Sequence, residues 1–110
     1  MNTKLVELLA EAVVALPIED YDLFHEMLTG KMVRKTPGVA GGHACIRNTR
    51  IAVWILISLM NQGADDAELL RNFPGLHLFD LTAARSYYRS FTEEIDALID
   101  SHHQVDGWND

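Results

Sequence analysis

Two groups of residues could do chemistry in this 110-residue chain. The first is Arg47-Asn48-Thr49-Arg50, two guanidinium groups bracketing a turn-prone pair. Such a fork can grip the phosphates of a nucleic-acid backbone. It can equally serve the fold, with the Arg stems covering a hairpin, their heads on carboxylates or carbonyls, and Thr49 bonded to its own backbone. A pairing of Arg50 with Glu94 or Asp96 belongs to that second reading. The second group is Thr82, Arg85, Ser86 and Arg89. At 100° per residue, with Leu81 at zero, they fall between about 40° and 140°. The apolar set Ala84, Tyr88, Phe91, Ile95 and Leu98 falls between about 260° and 340°. A helix reading the major groove needs one apolar face on its own domain and short polar or Arg side chains on the other. A solvated face, with Arg89 and Glu93 as an i, i+4 pair, is the plainer alternative.

Other reactive side chains lack the company that chemistry needs. Cys45 sits between Ala44 and Ile46 and reads as a buried thiol rather than a nucleophile. Gly38 to Gly42 is glycine-rich but lacks the Lys-Ser/Thr of a phosphate loop. No serine lies in a G-x-S-x-G motif. His43-x-Cys45 and His102-His103 lack the third and fourth ligands of a structural zinc site. His25 reads as a solvated side chain. Trp54 and Trp108 show no interleaving with basic residues. No catalytic residue, metal or cofactor is expected.

The elements that position these residues follow from apolar spacing. Lys4 to Leu16 reads as an amphipathic helix capped by Thr3, with Leu5, Leu8, Leu9, Ala12, Val13 and Leu16 on one stripe. Pro17 stops it and opens a second helix ending at Gly30. Residues 1–32 thus form an N-terminal helical hairpin, a contact for a dimer or partner. A turn-rich connector leads to Ala44-Cys45-Ile46 and Ile51-Ala52-Val53, expected to pair as a small β-hairpin. Trp54 to Gln62 reads as a buried helix closed by Gly63. Asp65, with Glu68 three residues on, opens the next, which ends at Phe73 before Pro74-Gly75. A long helix is expected from near Leu78 to about Ser101. Three helices with a short Pro-Gly turn make a mostly α helix-turn-helix domain over 33–101, and 102–110 reads as a flexible tail.

Composition agrees with a soluble domain. Apolar residues make up 48% and charged residues 23%, which excludes wholesale disorder. The absence of a long apolar run or cleavable leader predicts neither a membrane span nor secretion. A lone cysteine fits a reducing cytoplasm. The net charge of −7 argues against strong nucleic-acid binding, but its distribution is uneven. Residues 1–32 set Lys4 and Lys31 against six acids, and residues 63–110 set three arginines against ten. Between them, residues 33–62 carry Arg34, Lys35, Arg47 and Arg50 and no acid.

The stretch from Pro37 to Ile99 resembles the Domain of Unknown Function 433 family. The resemblance is carried by G-G-H-A-C-I-R-N-T-R-I-A-V from Gly41 to Val53, Gly63 and Phe73-Pro74. A-A-R-S-Y-Y from Ala83 to Tyr88 and Glu94-Ile95-Asp96 extend it. It implies a homeodomain-like or winged-helix-like fold and kinship with VapB-type antitoxins, which bind operator DNA and neutralise a PIN-domain ribonuclease. Departures include His43-Ala44 where Lys-Pro is common, Asn48 for a common Gly, and His77 where Ser or Thr usually caps the long helix. The function expected is a cytoplasmic, homodimeric, antitoxin-like DNA-binding regulator, with Arg47, Arg50, Thr82, Arg85, Ser86 and Arg89 on DNA. The alternative is a protein-interaction domain that keeps the fold without DNA affinity.

Overall fold

Local causes set most helix boundaries in the chain, and they place the helices around one short sheet. The computed structural model describes residues 2–106. The elements are α1 (Thr3–Val14), α2 (Ile18–Met32), β1 (Val33–Lys35), β2 (Ala44–Ile46), α3 (Val53–Asn61), α4 (Asp66–Asn72), α5 (Leu78–Ser90) and α6 (Thr92–Asp106). A 3-10 turn at Ala40–Gly42 lies between the strands. The protein is mostly helical with a two-stranded antiparallel sheet.

Capping residues explain the starts. Asn2, rather than Thr3, caps α1, its Oδ1 accepting the Leu5 N–H at 3.1 Å. Pro17 sits at the N-cap of α2, followed by Glu19 and Asp20 at the positive helix end. Asp65 caps α4 by accepting the Glu68 N–H at 2.9 Å. Gly63, at a φ of 103°, makes the left-handed turn that ends α3.

Three further expectations are corrected. First, α2 runs through Gly30 to Met32, since one glycine costs a helix only about 1 kcal/mol and tertiary packing outweighs it. Second, the main partner of β2 is β1, from the segment expected to be a connector. The register is Val33 with Ile46, Arg34 with Cys45 and Lys35 with Ala44. Ile51-Ala52 contributes one bridge, Cys45 to Ala52, on the other side of β2. Third, the long helix is two helices. It breaks at Phe91, whose backbone (φ −131°, ψ 46°) is not helical, and Thr92 turns its hydroxyl back to the Tyr88 carbonyl at 2.7 Å. Phe91 is therefore half exposed, while Leu81, Ala84 and Ile95 remain buried. α6 extends through the first part of the expected tail, to Asp106, and residues 107–110, with Trp108, lie outside the described residues.

The core joins Ile46, Val53, Leu56, Leu69, Leu81, Ile95 and Ile99 from β2, α3, α4, α5 and α6. Trp54 closes one side by stacking on His102 of α6 at 3.9 Å between ring centroids. α5 is the central helix, with α2, α3, α4, α6 and both strands packed against it. α1 stands apart. It buries no side chain, and the molecule is correspondingly long at 52 × 29 × 29 Å. A radius of gyration of 16.0 Å exceeds the roughly 13 Å expected of a globule of this length. The sequence reading of 1–32 as a helical pair thus meets a structure in which only α2 docks.

Candidate functional site

Arg47 begins the turn that follows β2. Its backbone takes a left-handed conformation, φ 41°, and its N–H donates to the Met32 carbonyl at 2.7 Å. Thr49 staples the turn: its hydroxyl donates to the Ile46 carbonyl at 2.6 Å and accepts the Ile51 N–H at 3.1 Å. This geometry sends the Arg47 side chain toward the start of α5. There its Nε and Nη2 donate to the two carboxylate oxygens of Asp80 at 2.7 and 2.6 Å. Nη2 also reaches the Gly75 carbonyl at 3.3 Å. Asp80 is 1% exposed and accepts the His77 N–H at 2.8 Å as well. It thus serves an otherwise unmet helix N-terminus and an arginine at once. The guanidinium beside it holds its carboxyl below the usual carboxylate range, against the opposing effect of burial. Sequence reasoning missed Asp80; its signal was an acid three residues after the helix cap, where a carboxylate can reach back to the cap N–H.

The other candidates scatter around α5. Arg85 reaches across to Asp66 of α4, both groups partly exposed. Ser86 meets α2: its Oγ lies 3.2 Å from the buried Thr29 hydroxyl, which itself donates to the His25 carbonyl at 2.8 Å. Thr82 is half-buried, and Arg89 is exposed and in no ion pair among the described residues. Arg50 is exposed too, and the acids suggested for it are engaged elsewhere. Glu94 takes the Lys35 ammonium at 3.0 Å and the Tyr87 hydroxyl at 2.9 Å, and Asp96 takes the Tyr88 hydroxyl at 2.8 Å. Tyr87 and Tyr88 are both half-buried.

Helix geometry shows that Arg47, Arg85 and Arg89 do not share one surface. On the scale that sets Leu81 at zero, Asp80, and with it Arg47, sits at about 260°. Arg85 sits at about 40° and Arg89 at about 80° on that scale. Two sides of α5 are involved. The first turn of α5, the part that enters a groove deepest in a DNA reader, presents Leu78 and Phe79, each 58% exposed. Neither offers a hydrogen bond to a base.

Exposed large apolar side chains gather on the first two helices. Leu5, Val6, Leu8, Leu9 and Val14 of α1 lie open, as do Ile18, Tyr21, Leu23, Phe24 and Met27 of α2. Cys45 is buried, and burial pushes its thiol up. Among the described residues no cluster of three His, Cys, Asp or Glu side chains could hold a metal ion, and no helix is long and apolar enough to cross a membrane.

A family model described as "Protein of unknown function (DUF433)" matches residues 33–88, from the start of β1 almost to the end of α5. The chain is similar to a solved crystal structure of a DUF433 member protein from Anabaena variabilis. The two share 47% identity with a TM-score of 0.63, over 91% of this chain and 99% of that one. No curated protein matches the chain.

Proposed function

The chain belongs to the DUF433 family, and from that premise we propose that it is a non-catalytic protein-interaction module working in the cytoplasm, with α1 and α2 as its contact surface. One observation carries this reading: ten large apolar side chains between Leu5 and Met27 have no cover. Isolated exposed leucines are ordinary, but ten exposed large apolar side chains on two successive helices mark a place where another chain sits. The buried, high-pKa thiol of Cys45 is the opposite of an activated nucleophile, and it suits a reducing compartment. Purification of the full chain from its own cells, beside the Leu9→Glu and Phe24→Glu variants, tests the reading. A stoichiometric protein partner, or a self-complex, held by the unsubstituted chain and lost by both variants supports it. A lone monomer in every case refutes it.

DNA binding on a homeodomain-like or winged-helix-like core is the second reading. Its favouring observation is that Arg34, Arg50 and Arg89 remain exposed, two of them in the acid-free stretch. The antitoxin-like form of the idea seats a PIN-domain ribonuclease on the arm and operator DNA on Thr82 and Arg89. In that form Arg89→Ala weakens retention of the native upstream duplex in a gel-shift assay, and Leu9→Glu releases the ribonuclease. Against it stand Arg47, Arg85 and Ser86, which are occupied within the protein.

A further inference from the structure

We propose that α1 pairs antiparallel with α1 of a second copy of this chain, its two-fold axis passing between the levels of residues 8 and 9. The inference rests on the interaction reading above and names the occupant of that surface.

The arm needs a partner for a physical reason. α1 has twelve residues and buries none of them. A helix of about 12–15 residues is marginal in water on its own. Nothing among the described residues supplies the missing burial.

Its pattern is self-complementary. On a scale that sets Leu9 at zero, Leu8, Ala12, Leu5 and Leu9 span about 260° to 360°, a stripe centred at about 310°. In an antiparallel pair each flank faces the same flank of the partner. Leu8 then meets the second copy's Leu8 on one side, Leu9 meets its Leu9 on the other, and Leu5 faces its Ala12 along the middle. The small side chain opposite the large one lets the helices come close.

Charge selects the direction. Lys4 and Glu11 lie on one flank, at about 220° and about 200° respectively. In the proposed register each Lys4 stands beside the other copy's Glu11, giving two ion pairs related by symmetry. A parallel pair would set Lys4 against the opposite flank, where Val6 and Val13 offer no carboxylate. α1 also has no acid in its first turn and no base in its last. Its dipole is uncompensated by its own side chains, and an antiparallel neighbour compensates it at both ends.

The α1 stripe supplies part of the contact area. Leu5, Leu8 and Leu9, each about half exposed, offer on the order of 300 Å² per copy, where a standard stable interface takes roughly 800 Å² from each partner. The open face of α2, with Leu23, Phe24 and Met27, lies in the same arm and extends the contact beyond the helix pair.

Sedimentation equilibrium on the full chain tests the proposal, because substitutions on a helix that buries nothing leave the core intact. The unsubstituted protein is expected to be a dimer at tens of micromolar, on the scale of a weak to moderate association. Leu8→Glu should give a monomer whose core stays folded, with any loss of helical circular dichroism confined to what the twelve residues of α1 contribute. Lys4→Glu and Glu11→Lys should each weaken the dimer by about tenfold, and the double reversal K4E/E11K should restore it. A monomeric wild type overturns the proposal, as does a dimer indifferent to Leu8→Glu. A dimer that single reversals weaken and the double reversal does not rescue overturns the antiparallel register. A monomer that still binds a different protein through α1 sinks this inference and spares the interaction reading; loss of both sinks both.

Discussion

Removing the guanidinium of Arg47 leaves a carboxylate stranded inside the protein. In the native state Asp80 is 1% exposed and has three donors, two from Arg47 and one from the His77 backbone. Arg47→Ala deletes two of them and the cation beside the carboxylate. Breaking a buried pair in this way costs about 3–5 kcal/mol, and the lower end applies because the Arg47 side is 37% exposed and water can enter. For a domain of this size that is a fall in Tm of about 15 °C. Asp80→Ala is expected to cost less, about 2 kcal/mol, from the lost helix cap and charged hydrogen bonds, since the released Arg47 can reach solvent. The pH dependence follows from the depressed pKa of Asp80. Its contribution is fully present above the ordinary value of about 3.9 and disappears as pH falls through the lower folded value. In Arg47→Ala the carboxyl, now governed by burial, takes up a proton at higher pH. The stability gap between wild type and variant therefore narrows on going from pH 7 to pH 4. Urea denaturation followed by circular dichroism at both pH values measures this. An Arg47→Ala variant within about 1 kcal/mol of wild type at pH 7, or one more stable than Asp80→Ala, would refute the reasoning and return Arg47 to the surface roles open in the sequence.

The buried Cys45 thiol should react with Ellman's reagent at pH 8 only as fast as the protein opens, and at once in denaturant; prompt reaction in the native state counts against its burial. Ala40 holds a φ of 48°, a conformation that costs a non-glycine residue about 1 kcal/mol, so Ala40→Gly should raise stability by about 0.5 kcal/mol in thermal melts. Gly41→Ala should lower it by at least about 1 kcal/mol, because φ is 69° there and a Cβ would come 3.2 Å from the His43 ring. Tyr87, half-buried and bonded to Glu94, titrates above its ordinary value, as does Lys35 beside the same carboxylate. Both favour the folded state below about pH 10 and cease to as pH rises through their folded values. Tyr87→Phe should therefore flatten the alkaline loss of stability, and an unchanged alkaline limb argues against the cluster.

What the sequence made legible is what neighbouring residues decide. Asp65, Pro74 and Gly63 fix their helix ends through their own side chains or backbone, and those boundaries stand. Arg47 belongs to a different category. Its partner is 33 residues away, and no periodicity relates a turn to the third position of a distant helix. The strand partner of β2 was hidden for the same reason: Val33-Arg34-Lys35 is too short to show an alternation, and pairing is settled by where α2 delivers the chain. The break at Phe91 escaped because its apolar spacing continues the helical pattern; only the turn of Thr92 back onto α5 reveals it. Thr82, Arg85, Ser86 and Arg89 lie on one side of the α5 wheel, yet α2 and α4 claim Ser86 and Arg85 from it. Helical wheels describe one helix and are silent on its neighbours.

The passage from α2 into β1 has no residue between them: Met32 ends the helix and Val33 begins the strand. The Arg47 N–H clamps the Met32 carbonyl at that point, and Thr29 is pinned to Ser86 one turn earlier. The arm is consequently a bracket bolted to the core through α2, and the chain turns from α1 into it at the Ala15–Pro17 corner. Whatever seats itself on α1 inherits an orientation set by the sheet. In a two-fold assembly the bracket would act as a ruler, holding two cores at a constant separation whatever surface they present outward.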